Sequence, residues 1–453
     1  MELESPLAVA GELQLMEGTL SLESGASLTM NAGSTVQVMN GSLEGNGGTF
    51  VGTAAYNVEY MGDSTITTGL EITGTGLNDV TVNIMEGEVM MDNDLTVAGT
   101  LELTNGKLNL NANDLIVNGT LDQDEDSPFV GDSGSDLELN ITLAGNDTIW
   151  FDNSDQNLER LVLDVTGGNI VLGSKLHIHD ELTMTGGSIS LMNEDLIIEE
   201  NADIMGYSNT RYIMTPHDGM LQMHIALSSP YVVFPVGTSS SYSPASIQAG
   251  SGAEAGNFMV KAFNGVYWNG TENNGLNVVT NGASLVNRTW LIESDASTFD
   301  MNLKLGWVAT AETNGFDRTD AYISHYTSGN WDMHASGSAV TGANSTYEIT
   351  RTGITSLSPF AVADGDAELS VDETALLTLN LYPNPCTDAL NISYESNAGE
   401  YVFEITDLAG RNYEVVHAGV NQMDVSALST GTYLLKMTNA ETNKVSVRQF
   451  VKK

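Results

Sequence analysis

The nine residues NDLTVAGTL at Asn93–Leu101 return almost unchanged as NDLIVNGTL at Asn113–Leu121, twenty residues later. In each copy apolar and polar residues alternate, so Leu95, Val97 and Leu101 share one face, as do Leu115, Val117 and Leu121. A period of two marks a half-buried strand. Gly99 and Gly119 hold the same place in the two copies and mark a corner. Longer segments repeat as well. LAVAGELQLMEGTLSL from Leu7, LTVAGTLELTNGKLNL from Leu95 and LHIHDELTMTGGSISL from Leu176 align over sixteen residues without a gap. From each start a further copy follows after 20 or 21 residues, at Leu28, Leu115 and Leu196. A period of 81 lies above this one: Val80, Ile84, Gly87, Val89 and Leu95 match Leu161, Val165, Gly168, Ile170 and Leu176.

A unit of about 20 residues, built of short strands with Gly and Asn corners, cannot bury its apolar side alone; stacked on equal neighbours it can. The spacing predicts a parallel β-helix over residues 1–206, with about nine or ten coils that each advance by one strand spacing of roughly 4.8 Å. No stretch reads as a helix, which argues against a leucine-rich horseshoe, and propeller blades need about 40 residues each. Beyond residue 206 the period lapses, aromatics appear and the strands become unequal, as in YVVFPVG, NFMVKAFN, RTWLIES and MNLKLGWV. Residues 207–363 read as an antiparallel β-sandwich. The acidic stretch DGDAELSVDETALLT, residues 364–378, has no core pattern and reads as a linker.

The chain then resumes with LNLYPNPCTDALNISYE. Proline cannot donate to a sheet ladder, so Pro383 and Pro385 end a strand and set a turn. Alternating segments follow, and residues 379–453 read as a small Ig-like β-sandwich. Their motifs are LYPNP at Leu381–Pro385, LNIS at Leu390–Ser393, ITDLAGR at Ile405–Arg411, VSALSTGTYLLKM at Val425–Met437 and the basic end FVKK at Phe450–Lys453. In this order they resemble the type A C-terminal sorting domain of the type IX secretion system. The resemblance covers about one sixth of the chain. It implies a sorting role for Leu381, Tyr382, Pro383, Asn384, Pro385, Asp407, Gly410, Arg411, Gly431, Tyr433, Lys452 and Lys453. It also implies export through the type IX translocon across a Gram-negative outer membrane and cleavage by a sortase-like peptidase. The remainder would then be released or attached to lipopolysaccharide. The amino-terminal part is similar to parallel β-helix surface and adhesin-like proteins. Exported cargo of this kind carries a signal peptide. The opening MELESPLAVAGELQL has neither a basic start nor an apolar run, so the sequence is expected to be a mature or partial product.

The net charge is −44, and residues 1–206 hold 35 acids against Lys107, Arg160 and Lys175. Such a surface repels nucleic acid and anionic membranes and attracts cations. No apolar run approaches the ~20 residues of a membrane-spanning helix. The lone Cys386 excludes a disulfide within one chain. Asp122, Asp124 and Asp126 alternate in the loop DQDEDSPFVGDSGSD, which reads either as a solvated acidic loop or as oxygen ligands for calcium. No other cofactor is indicated. His177 and His179 alternate with the inward Leu176 and Ile178, so the pair is expected to face solvent rather than to hold a metal. Trp290 and Trp307 alternate with aliphatic residues and are expected in the core, whereas Trp268 and Trp331 lie near turns and are the candidates for stacking on a glycan. Trp150 is the one tryptophan before residue 206, and no aromatic groove is expected there. The expectation is therefore a secreted or surface-attached structural or adhesin-like protein rather than an enzyme. Two alternatives stay open: a β-helix polysaccharide hydrolase or lyase, or the end of a longer surface protein whose active head lies upstream.

Overall fold

The computed structural model describes residues 1–267, 270, 279, 284–365, 379–394, 401–407, 411–419, 421–439 and 445–453. The chain forms two compact units, Met1–Leu369 and Ser370–Lys453. Most of the expected linker, residues 366–378, lies outside the described residues. The fold is all-β, and its first unit begins with a β-solenoid of about eleven turns.

The repeated apolar residues stack in register. Leu95 pairs with Leu115, Leu115 with Leu137, Leu137 with Leu161, Leu161 with Leu182 and Leu182 with Ile204, all in parallel ladders and all buried. A second column runs from Leu13 through Val36, Val58, Val80 and Leu101 to Leu121. The 81-residue period appears as repeated pairing, since Val80 meets Leu101 as Leu161 meets Leu182. Coil length is not uniform. Facing side chains lie 20 residues apart at Thr100 and Thr120, 22 at Asn118 and Asn140, and 24 at Thr142 and Thr166. Extra residues are taken up at the corners, where they leave the inner columns undisturbed.

The corners explain the glycines. One place in the sixteen-residue repeat is Gly18, Gly106 and Gly187, and there φ is +70°, +80° and +71°, a conformation that a side chain disfavours. Gly119 serves a different need. A Cβ on it would lie 2.0 Å from the carbonyl oxygen of Gly99 in the coil below. On the outer face, polar side chains bond from coil to coil: Gln14 donates to Gln37 and Gln37 to Glu59, Asn105 donates to Asn83 and Asn140 to Asn118. Two of the few cations bridge coils, Lys107 to Asp152 at 2.7 Å and Arg160 to Asp180 at 2.6 Å.

The parallel pairing does not stop at residue 206. Leu196 pairs with Leu221, Ile189 with Ile213 and Ile213 with Val236, still in parallel. The coils lengthen there, to a 25-residue offset between Asp195 and Met220, and this hides the period in the sequence while the columns continue. Nor is there a break before the sandwich. Leu221–Ile225 is parallel to Leu196–Ile198 on one side and antiparallel to Gly256–Asn264 on the other. That sheet continues through Leu285–Ser294, Phe360–Asp364 and Ala321–Thr327. A second sheet of Val232–Phe234, Ala245–Ala249, Met301–Trp307, Tyr347–Ile354 and Val340–Thr341 belongs to the same unit. Trp290 and Trp307 are fully buried in a core that is continuous with the solenoid interior.

The described residues of the second unit form two four-stranded antiparallel sheets. One orders Leu379–Tyr382, Ala389–Tyr394, Gln422–Asp424 and Val416–Gly419; the other orders Asn412–Tyr413, Tyr401–Asp407, Gly431–Asn439 and Val445–Lys452. Leu390, Ile392, Ile405, Leu435, Met437 and Phe450 lie in a core separate from that of the first unit.

Candidate functional site

The residues expected to carry sorting form two constellations, although they are spread from Leu381 to Lys453 in the sequence. The first joins the Pro-Asn-Pro turn to the end of the chain. Pro383 and Pro385 have no N–H to give, and Asn384 between them supplies what the backbone lacks. Its Nδ2 donates to the carbonyl of Gln449 at 3.0 Å, and its Oδ1 accepts from the amide of Val451 at 2.9 Å. Cys386 continues the contact through its backbone, donating to Val451 at 2.8 Å and accepting from Lys453 at 2.9 Å. The Cys386 thiol is buried, which pushes its pKa up. Tyr382, Pro383 and Pro385 stay exposed, whereas Lys452 is buried and its Nζ donates to the carbonyl of Lys453 at 2.6 Å.

The second constellation centres on Asp407. Its Oδ1 accepts from the Arg411 amide at 3.0 Å, and its Oδ2 accepts from Arg411 Nε at 2.7 Å and from the Tyr413 hydroxyl at 3.0 Å. The hydrogen bond to Asp407 raises the pKa of both Arg411 and Tyr413. Tyr413 packs edge-on against Tyr433 at 5.4 Å, and Tyr433 stacks on Phe450 at 5.6 Å. Tyr433 therefore ties the Asp407 turn to the last strand. Leu381 is half-buried against the core, and Gly431 opens the strand that carries Tyr433. Gly410 lies outside the described residues.

The other expected sites fare differently. Trp331 is not a surface platform. Its hairpin, Ala321–Thr327 with Asn330–Trp331, folds the indole inward to 3% exposure, packed against Tyr326 and donating through Nε1 to the Tyr267 carbonyl at 2.7 Å. Proximity to a turn does not imply exposure when the turn folds back over a core. Trp268 lies outside the described residues. Asp122, Asp124 and Asp126 are exposed, and Asp124 Oδ1 is engaged by the amide of Asp126 at 3.1 Å. Among the described residues, no three His, Cys, Asp or Glu side chains are placed to hold one metal ion. His177 and His179 face outward; they contact Glu199 at 2.7 Å and Asn157 at 2.8 Å respectively.

Two features had no counterpart in the sequence reading. Glu71 is buried inside the solenoid. Its Oε1 accepts from the Tyr60 hydroxyl and from the Gly69 amide, each at 2.7 Å, and burial raises its pKa. Trp150, discounted as a single tryptophan, overlooks an open cleft of about 330 Å³ that includes Glu125, Asp126, Asn153, Gln156 and Glu194. The signal for this cleft is the acidic loop itself, which the stacking brings beside a tryptophan some 25 residues on.

Among the described residues, no helix is long and apolar enough to cross a membrane. No curated protein and no solved structure matches the chain. Residues 380–453 match the family described as secretion system C-terminal sorting domain, so the Asn384 and Asp407 constellations belong to a sorting domain and the chain is an exported, secreted or cell-surface protein.

Proposed function

We propose that this protein is an adhesin-like structural component, delivered to the outer cell surface by the type IX system and left there after removal of a type A sorting domain. The observation that carries the export half is the match over residues 380–453 together with the closed Asn384–Val451 contact. In this reading the translocon and the sortase-like peptidase are the partners of the second unit, and lipopolysaccharide is the anchor of the first. The structural half is supported by the outer face of the solenoid, where Asn and Gln side chains satisfy one another between coils and so spend their polarity on rigidity. Deleting residues 379–453 in a host that has this pathway tests export: the remainder should stay in the periplasm, and normal surface display would refute the sorting role. Adhesion is tested by deleting the whole protein, which should weaken attachment of the cells to a polysaccharide-coated surface.

One observation favours a second reading, a glycan hydrolase: the carboxylates beside Trp150. Two carboxyl groups are the minimum such chemistry requires. Release of reducing ends from a neutral oligosaccharide, lost in Glu194→Gln, would favour the enzyme over the adhesin.

A further inference from the structure

We propose that the cleft at Trp150 is a binding subsite for an uncharged pyranose glycan. This deepens the adhesive reading and rests on it. The cleft is built by stacking. Trp150 follows the strand Asp147–Ile149, and Gln123 of the previous coil holds its backbone, accepting from its amide at 3.1 Å and donating to its carbonyl at 3.0 Å. The indole lies flat on Gly173 of the next coil. A Cβ at Gly173 would lie 2.5 Å from the fused ring atom Cδ2 and 2.6 and 2.7 Å from its neighbours Cε3 and Cε2. Nearly equal distances around an inner ring atom mean that Gly173 meets the face of the ring and not its edge. The side chain is only half-buried, and its Nε1 has no hydrogen-bond partner among the described residues. One face is seated, and the N–H remains available to a ligand.

The surroundings select the ligand class. A pyranose presents a C–H face that stacks on an indole and a rim of hydroxyls that needs acceptors and amides in the plane of the ring. The rim of this cleft offers the carboxylates of Glu125, Asp126 and Glu194, none of which is paired among the described residues, and the amides of Asn153 and Gln156, which bond to each other at 3.1 Å. Asp152 is engaged by Lys107 at 2.7 Å, and Lys175, next to the lining residue Ser174, is exposed and unpaired among the described residues, one free cation against the three carboxylates. Uronates and sialic acids would meet uncompensated negative charge, which disfavours them. The volume, about 330 Å³, falls at the small end of small-molecule sites.

The test uses the full chain and isothermal titration with cello-, manno-, xylo- and laminarihexaose, with hexagalacturonate as the acidic probe and a glucosamine hexamer as the cationic one. At least one neutral hexaose should bind, with hexagalacturonate weaker by roughly tenfold or more. Trp150→Ala should lower that affinity by about tenfold or more. Gly173→Ala, which unseats the indole without removing it, should also weaken binding. Circular dichroism and melting curves check folding; should Trp150→Ala fail to fold, Glu194→Gln and Gln156→Ala carry the test, each expected to weaken binding several-fold. Binding of no neutral hexaose, binding of the glucosamine hexamer alone, or binding that these variants leave unchanged overturns the proposal. If cells carrying Trp150→Ala still adhere as the parent does, the subsite falls while the adhesive reading stands. If deleting the whole protein leaves adhesion intact, the adhesive reading itself falls.

Discussion

Gly119→Ala and Gly11→Ala place the same methyl group at the same position of the repeat, and the structure predicts opposite signs for them. At Gly119 the new Cβ would lie 2.0 Å from the Gly99 oxygen. A comfortable carbon–oxygen contact is about 3.3 Å, so the carbonyl would have to retreat by more than about 1 Å. That carbonyl accepts from Thr120 N at 2.9 Å, and the retreat breaks the bond. Overpacking costs about 1–3 kcal/mol and the lost hydrogen bond about 1 kcal/mol. Alanine restrains the unfolded chain and returns about 0.4–1 kcal/mol. The net loss is therefore about 1–3 kcal/mol. Gly11 has no atom within 4 Å of its Cβ position and lies outside the left-handed region, so only the unfolded-state term acts. Gly11→Ala should leave stability unchanged or raise it by up to about 1 kcal/mol. Guanidinium unfolding followed by far-ultraviolet circular dichroism measures both. Equal midpoints for Gly119→Ala and the parent protein would refute the close stacking of corner on corner.

Leu115, fully buried between Leu95 and Leu137, should cost about 2–5 kcal/mol when cut to alanine, read by the same unfolding curves. Leu115→Asp should be worse, because it buries an unpaired charge. Burial raises the pKa of Glu71 above its ordinary value of 4.5, so its contribution is intact below pH 4.5 and is lost as pH rises through the higher folded-state value. Glu71→Gln should therefore match the parent in acid and become progressively more stable than it toward neutral pH; parallel stability–pH curves would contradict this. Asn384→Ala should speed hydrogen exchange at the Val451 amide, which loses its acceptor, while exchange at Leu435 stays slow. Millimolar calcium at fixed 0.15 M ionic strength should leave the melting temperature unchanged, since Asp122, Asp124 and Asp126 do not converge; a shift abolished by Asp124→Asn would show a site.

The sequence made the solenoid legible because one physical demand, equal side chains at equal places, writes itself as a period. Leu95, Val97, Leu115 and Val117 are each buried as the alternation requires. Where a demand is local to one place, no period announces it. Glu71 in GLEITG looks like any outward acid; only the hydroxyl of Tyr60, which reaches its carboxylate across the interior of the same coil, marks it as an inward one. Exposure depends on what folds over an indole rather than on a nearby turn: Trp331 lies under its hairpin and donates to the Tyr267 carbonyl, whereas Trp150 rests on Gly173 and stays half-buried. The sorting motifs were legible as motifs, but the role of Asn384 was not, because its partners lie 65 and 67 residues away.

The strand Leu221–Ile225, parallel on one side and antiparallel on the other, acts as a chain stopper in the sense used for polymers. A stack of identical coils has no intrinsic length: each finished coil is a template for the next, in the same chain or another, and this is how β-structures grow into fibres. Reversing one strand direction removes the template, because the next site presents antiparallel geometry that no coil of this repeat can extend. The carboxy-terminal end of the stack is therefore set by a reversal of strand direction rather than by exhaustion of the repeat. Repeat number could then vary between related chains without changing how the stack ends.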